Sequence, residues 1–172
     1  MGEKRLDEGE LDGVLARALQ HSPEFADWFL QQTKFNGQRA RCVFVRADNP
    51  WSTVLLQQPN PTTGGLEARR FECETDVLAV FETAEGRRLG IHIENKIRTG
   101  SFTELQPELY AARVEQWKNR PRLGRYSEGT TVLIAPLEFM HRYPTGAALF
   151  HTRISHESIA ERLPNFGCHL ES

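Results

Sequence analysis

Two short apolar runs, residues 73–81 and 89–97, constrain this chain more than any other feature. Both are rich in β-branched residues and bounded by polar or turn-forming ones, which predicts two strands of one hairpin. Side chains alternate faces along a strand, so His92, Glu94 and Lys96 share one face and Ile91, Ile93 and Ile97 the other. A three-residue loop, Ala84-Glu85-Gly86, with Gly86 in the left-handed conformation, would pair Thr83 with Arg87. Asp76 then lies opposite Glu94, on the same face. A two-residue loop, Glu85-Gly86, would set Asp76 opposite Asn95 and turn the acid to the wrong side.

The odd-numbered loop thus brings two carboxylates together and places a lysine two residues beyond the second. Neighbouring carboxylates repel, and a hard divalent cation relieves that repulsion. Mg²⁺ or Mn²⁺ takes oxygen ligands, often one or two carboxylates, and the Asn95 carbonyl can add a third. Such an ion polarises a phosphate and activates a water, and Lys96 beside it can orient that water and neutralise developing charge. The structural alternative is a surface hairpin carrying an ordinary Glu94–Lys96 ion pair, which stabilises little.

Asp76, then Glu94-x-Lys96 eighteen residues on, then Gln106-x-x-x-Tyr110, resembles the PD-(D/E)XK nuclease superfamily. The stretches Glu74-Thr75-Asp76-Val77 and Ile93-Glu94-Asn95-Lys96-Ile97 resemble a bacterial subgroup of it. Thr75 stands where the family name has proline. The resemblance spans about residues 70–118 and continues more weakly through residues 131–136 and 153–159. It implies an α/β, restriction-endonuclease-like fold, a mixed β-sheet core flanked by helices on both faces. It further implies hydrolysis of a nucleic-acid backbone, expected to be DNA, by a metal-activated water. Asp76 and Glu94, with Asn95, would be the metal ligands, Mg²⁺ or Mn²⁺ the cofactor, and Lys96 the catalytic lysine. Gln106 and Tyr110 would approach the site. The alternative from another class is a catalytically silent nuclease-fold module that binds nucleic acid or a protein partner.

Gln106 and Tyr110 are four apart on a helix read over residues 104–118, so they share a face. Thr103-Glu104-Leu105-Gln106 also fits a capping box, and Pro107 at the first helical position would make Gln106 itself the cap. Tyr110 also fits a packed core tyrosine with a satisfied hydroxyl.

A chain of 172 residues suits one domain, with helices over residues 8–35 and a catalytic core over 40–162. No apolar run approaches a membrane span, and the charged N-terminus lacks a signal-peptide core, so no membrane partner is expected. Three cysteines at long spacings, Cys42, Cys73 and Cys168, argue against a disulfide framework and for a cytoplasmic setting. A net charge of −2 does not mark a nucleic-acid binder, so phosphate affinity must be local.

The best basic stretch is residues 117–126, where Lys118, Arg120, Arg122 and Arg125 could contact phosphates while Trp117 and Tyr126 stack on bases. Arg98 and Arg113 are further candidates. The same stretch also reads as a solvated helix end. A homodimer or larger complex would suit a nuclease that cuts both strands, although nothing in the sequence marks an interface.

Leu11, Val14, Leu15, Ala18 and Leu19 form the stripe of a first helix, and Ser22-Pro23 opens a second, with Phe25, Trp28 and Phe29 inward. Glu24 in its first turn complements the helix dipole or supports the site. Strands are expected over residues 40–45, 130–135 and 150–154, with Ser155 capping a helix over 156–162. Residues 57–70 read as a turn-rich loop. His92 on the site face is expected to pack or hydrogen-bond, and Glu72 and Glu74 are possible second-metal ligands.

Overall fold

The computed structural model describes residues 6–167; Cys168 lies outside them. Helix α1 (Glu8–His21) opens with a capping box, in which Asp7 accepts from the Glu10 amide and Glu10 from the Asp7 amide. Helix α2 (Pro23–Gln31) starts as the sequence predicts, with the Ser22 hydroxyl accepting from the Phe25 amide and Pro23 at the first position. Strands β1 (Ala40–Arg46), β4 (Val77–Thr83), β5 (Arg88–Asn95), β6 (Glu128–Ala135) and β7 (Thr152–Ser155) form one mixed sheet in the order β1-β4-β5-β6-β7. The first three run antiparallel, and β5, β6 and β7 run parallel. Helix α3 (Gln106–Gln116) joins β5 to β6. Short helices α4 (Leu137–Arg142), α5 (Pro144–Ala148) and α6 (His156–Ala160) follow, the last capped by Ser155 as its sequence suggests.

Helices cover both faces of the sheet. Leu11, Leu15 and Leu19 of α1 and Phe25 and Phe29 of α2 pack with Val77, Ala79, Ile91, Ile93, Val132 and Ile134. On the opposite face, Leu78 and Val80 pack with Leu109 and Trp117 from α3 and its end. Strand β6 is buried on both sides, which explains why its sequence shows no alternation. No helix among the described residues is long and apolar enough to cross a membrane.

The hairpin register is the odd one. Thr83 donates to the Arg87 carbonyl, Gly86 has φ +80°, and Val77 pairs with Ile93. One residue further on, Asp76 lies opposite Glu94.

The sequence reading needs correction in three places. The run 73–81 is not one strand. It breaks at Thr75-Asp76, where the Thr75 amide bonds the Pro50 carbonyl, so Cys73 and Glu74 belong to a separate two-stranded sheet. That sheet replaces most of the loop expected over 57–70. Strands β2 (Trp51–Pro59) and β3 (Leu66–Glu74) pair along their full length around a turn at residues 60–65, where the Asn60 side chain accepts from the Thr62 and Thr63 amides. One face is solvated, so the apolar signal is half of what a buried strand gives. Third, Trp117 and Tyr126 are fully buried and cannot stack on a base. Some ends also differ: the site helix is shorter than 104–118, and the last strand and helix are β7 and α6 as given above.

Candidate functional site

Two strand ends and one helix converge on Asp76 and Glu94. The bend at Thr75 directs Asp76 across the end of β5, where its Oδ2 accepts from the Asn95 amide at 2.8 Å. Tyr110 holds the same junction from below. Its hydroxyl accepts from the Asp76 amide at 3.2 Å and donates to the Ile93 carbonyl at 3.1 Å. Tyr110 is fully buried, so it positions the strands and does not reach the cleft. Its hydroxyl is held well above its ordinary pKa by burial and by the Glu94 and Asp76 carboxylates, and stays protonated.

Glu94 is 1% exposed. Its Oε1 accepts from Lys96 Nζ at 2.7 Å and from Gln106 Nε2 at 2.6 Å, whereas Oε2 is buried without a hydrogen-bond partner. Gln106 Oε1 also accepts from the Thr103 amide at 3.1 Å, the back-contact a capping box would make, although the helix N-cap is Leu105 and not Thr103 or Gln106. The preceding Leu105 takes φ +58°, a conformation unfavourable for a branched residue, to swing Gln106 onto Glu94.

Helix α1 supplies what the sequence reading missed. Asp12, 4% exposed, accepts from the Asn95 side-chain amide at 2.9 Å, and the Asn95 amide oxygen accepts from His156 Nε2 at 2.9 Å. Glu8, one turn earlier, accepts from the Ile97 amide at 3.2 Å and lines the cleft beside Lys96. The signal was present: Glu8 and Asp12 occupy helical positions in register with Leu15 and Leu19, where an apolar residue would ordinarily sit. Glu24, the acid singled out on α2, is exposed and suits the helix dipole.

Asp12 and Asp76 lie close to each other and to Glu94, and both are raised. Burial first, then the charges of Glu94 and Asp12, push the Asp76 carboxyl up to about 9. Burial raises Asp12 to about 7, the Asn95 hydrogen bond opposing and Glu94 assisting. Burial alone would pull the Lys96 ammonium down, but Glu94, Glu8 and Asp76 outweigh it and hold it above its ordinary value. His92 shares the Glu94 face but lies further back along β5, outside the cleft. It is fully buried, bonds the Tyr126 hydroxyl at 2.9 Å and is pushed down to about 3 by burial and by Arg113, hence neutral.

A cleft of about 540 Å³ opens over Asp76 and Lys96. Trp51, Glu72 and Glu74 from the small sheet form one wall, and Gln106 and Arg113 from α3 another. Glu72 and Glu74 are exposed at its edge and belong to a different sheet from Asp76. Arg113, a candidate phosphate contact from the sequence, is 1% exposed, with its guanidinium 3.6 Å over the Tyr110 ring. Its Nε donates to the Leu109 carbonyl, while Nη1 is buried without a partner.

The other basic candidates are not at the site. Lys118 pairs with Glu115, Arg120 donates to the Ser52 hydroxyl, and Arg98 pairs with Glu138. Arg122 and Arg125 are exposed and do not line the cleft.

The donor set fits a hard divalent ion. Asp76 lines the cleft and feels the charge of Glu94 behind it, and the orphaned Glu94 Oε2 is buried without a donor, a costly state that a cation would relieve. No group of three His, Cys, Asp or Glu side chains among the described residues forms a metal cage, so carbonyl or water oxygens would have to complete the shell. Comparison with family models, with curated proteins and with solved structures finds no match.

Proposed function

We propose that this chain is a divalent-metal-dependent nuclease of the PD-(D/E)XK type, built on a restriction-endonuclease-like core and acting on DNA. One observation carries the reading. The odd hairpin register sets Asp76 against the end of β5, while Glu94 presents one oxygen to Lys96 and Gln106 and leaves the other without a donor.

Asp76 and Glu94, with the Asn95 carbonyl, would hold Mg²⁺ or Mn²⁺. Such an ion supplies charge neutralisation at the scissile phosphate and lowers the pKa of a water. The chain's own residues do the rest. Gln106 and Lys96 fix one Glu94 oxygen, so the other keeps its aim. Lys96 remains an ammonium near neutral pH, placed to orient the attacking water and to offset the charge that builds on the phosphate. Tyr110 and the Asn95 amide hold the Asp76 backbone and carboxylate in register.

The experiment is cleavage of labelled single- and double-stranded DNA and RNA in Mg²⁺, Mn²⁺ or chelator, comparing wild type with Lys96→Ala. Metal-dependent cutting that falls by about 100-fold or more in the variant is the expected result. A well-folded wild type that cuts none of these substrates overturns the reading.

The second reading, a silent binding module, draws on the absence of a three-residue metal cage among the described residues and on the acids lining the cleft. It predicts that Mg²⁺ does not raise the melting temperature and that Lys96→Ala leaves nucleic-acid binding intact.

A further inference from the structure

The cleft wall contains a side chain that the chemistry above does not use. Trp51 is 64% exposed, and it is the one aromatic among the cleft-lining residues. Its place is fixed. Trp51 pairs with Glu74 on the neighbouring strand, and the adjoining Pro50 carbonyl is bound by the Thr75 amide at 3.1 Å. Strand pairing plus two residues of chain holds the Trp51 and Asp76 backbones no more than about 13 Å apart. The indole therefore lines the same cleft as Asp76, on a backbone fixed by strand pairing.

Two cations stand among the cleft's acids, Glu8, Glu72, Glu74 and Asp76. Arg113 carries a buried, unpartnered Nη1, and Lys96, paired with Glu94, also lines the cleft. An indole face, a guanidinium with one unpartnered nitrogen and an ammonium together match a nucleotide, a flat base to stack and a phosphate to bind, once a hard cation offsets the acids. The cleft, of about 540 Å³, has room for one or two nucleotides. A base paired within a duplex has both faces covered by its neighbours in the stack and offers none to an indole, so the indole favours an unpaired strand.

We infer that the cleft takes an unpaired nucleic-acid strand, with one base stacked on Trp51 and the adjoining phosphate drawn toward Lys96 and Arg113. The inference rests on reading the cleft as a nuclease site and names the form of its substrate. Single strands, frayed ends and overhangs qualify; the interior of an intact duplex does not. Stacking on an indole accepts any base, so Trp51 confers selectivity for strandedness and not for sequence.

The test separates binding from cleavage. The full chain carrying Trp28→Phe, which leaves Trp51 and the buried Trp117 as emitters, is titrated with oligothymidylate, oligouridylate and a blunt duplex of equal length. Ca²⁺ stands in as the hard cation, and tryptophan emission is followed. Quenching by either single strand, with at least tenfold weaker binding of the duplex, is expected. Affinities of the Trp51 variants are read from the anisotropy of the same oligonucleotides carrying fluorescein, which does not need the indole: Trp51→Ala should weaken strand binding about 5- to 150-fold, the range of one lost base stack, and Trp51→Phe should retain most of it. Trp51 is exposed, so neither change should disturb folding, which the melting temperature verifies. Strand binding with quenching but no cleavage in Mg²⁺ supports this inference while the nuclease reading fails. Equal quenching by the duplex, or unchanged strand affinity in Trp51→Ala, overturns the inference even if the protein cuts DNA.

Discussion

Without a cation, Asp76 is an energetic liability to the folded chain. Burial and the charges of Glu94 and Asp12 raise its carboxyl from 3.8 to about 9, so the folded protein holds a proton there that the unfolded chain releases. The stability tied to this group is full below about pH 4 and is lost as pH rises through about 9. Asp12 repeats the effect over a narrower window, from about 4 to about 7. In chelator at pH 7, Asp76→Asn should therefore stabilise the protein, by at most about 4 kcal/mol, read as a higher melting temperature. Mg²⁺ should raise the melting temperature of wild type, increasingly so toward pH 9, and leave that of Asp76→Asn unchanged. Gln106→Ala leaves Glu94 Oε1 held by Lys96 alone and should cut kcat about 10- to 100-fold with little change in melting temperature.

At the scale of strands and helices, close packing around β5 and β6 is the most sensitive feature. The Tyr126 ring lies over Gly90 and Gly129, and a Cβ built at Gly90 would come within 2.4 Å of it. Its hydroxyl bonds His92 and the Val114 carbonyl, so the ring cannot retreat without breaking both. Gly90→Ala should cost about 1–3 kcal/mol in urea unfolding, the usual cost of overpacking. These contacts also show what could be read in advance. The alternation of β4 and β5 and the loop 84–86 are local, so the pairing of Asp76 with Glu94 could be deduced from counting residues. The small β2–β3 sheet could not. Its residues alternate weakly, and it is held by distant partners: Gln116 bonds both the amide and the carbonyl of Leu55, and Trp117 donates to the Thr53 carbonyl. Trp117 and Tyr126 were misread for the same reason, since only tertiary packing decides whether an aromatic near arginines is buried.

For the molecule as a whole, the N-terminal helix is both core and site. Leu11, Leu15 and Leu19 are buried against the sheet, while Glu8 and Asp12 of the same helix reach Ile97 and Asn95. Removing residues 1–21 should leave a chain without a cooperative thermal transition, because that face of the sheet would lie open to water. A milder change, Asp12→Asn, should keep the fold and lower activity, since it alters the partner of Asn95 without emptying the core. Asp12 is not legible in the sequence as part of the site, because its contact to Asn95 crosses 83 residues of chain.

The register of the β4–β5 hairpin also sets how this gene can change length. Side chains repeat every two residues, so the loop at 84–86 tolerates insertions or deletions in pairs, whereas a single codon gained or lost would rotate Asp76 away from Glu94. The turn at 60–65 obeys the same rule through packing, because β2 and β3 turn Val54, Leu56 and Phe71 toward the core and a one-residue slip would present them to water. Lineages of this protein should therefore record insertions in even numbers at both turns.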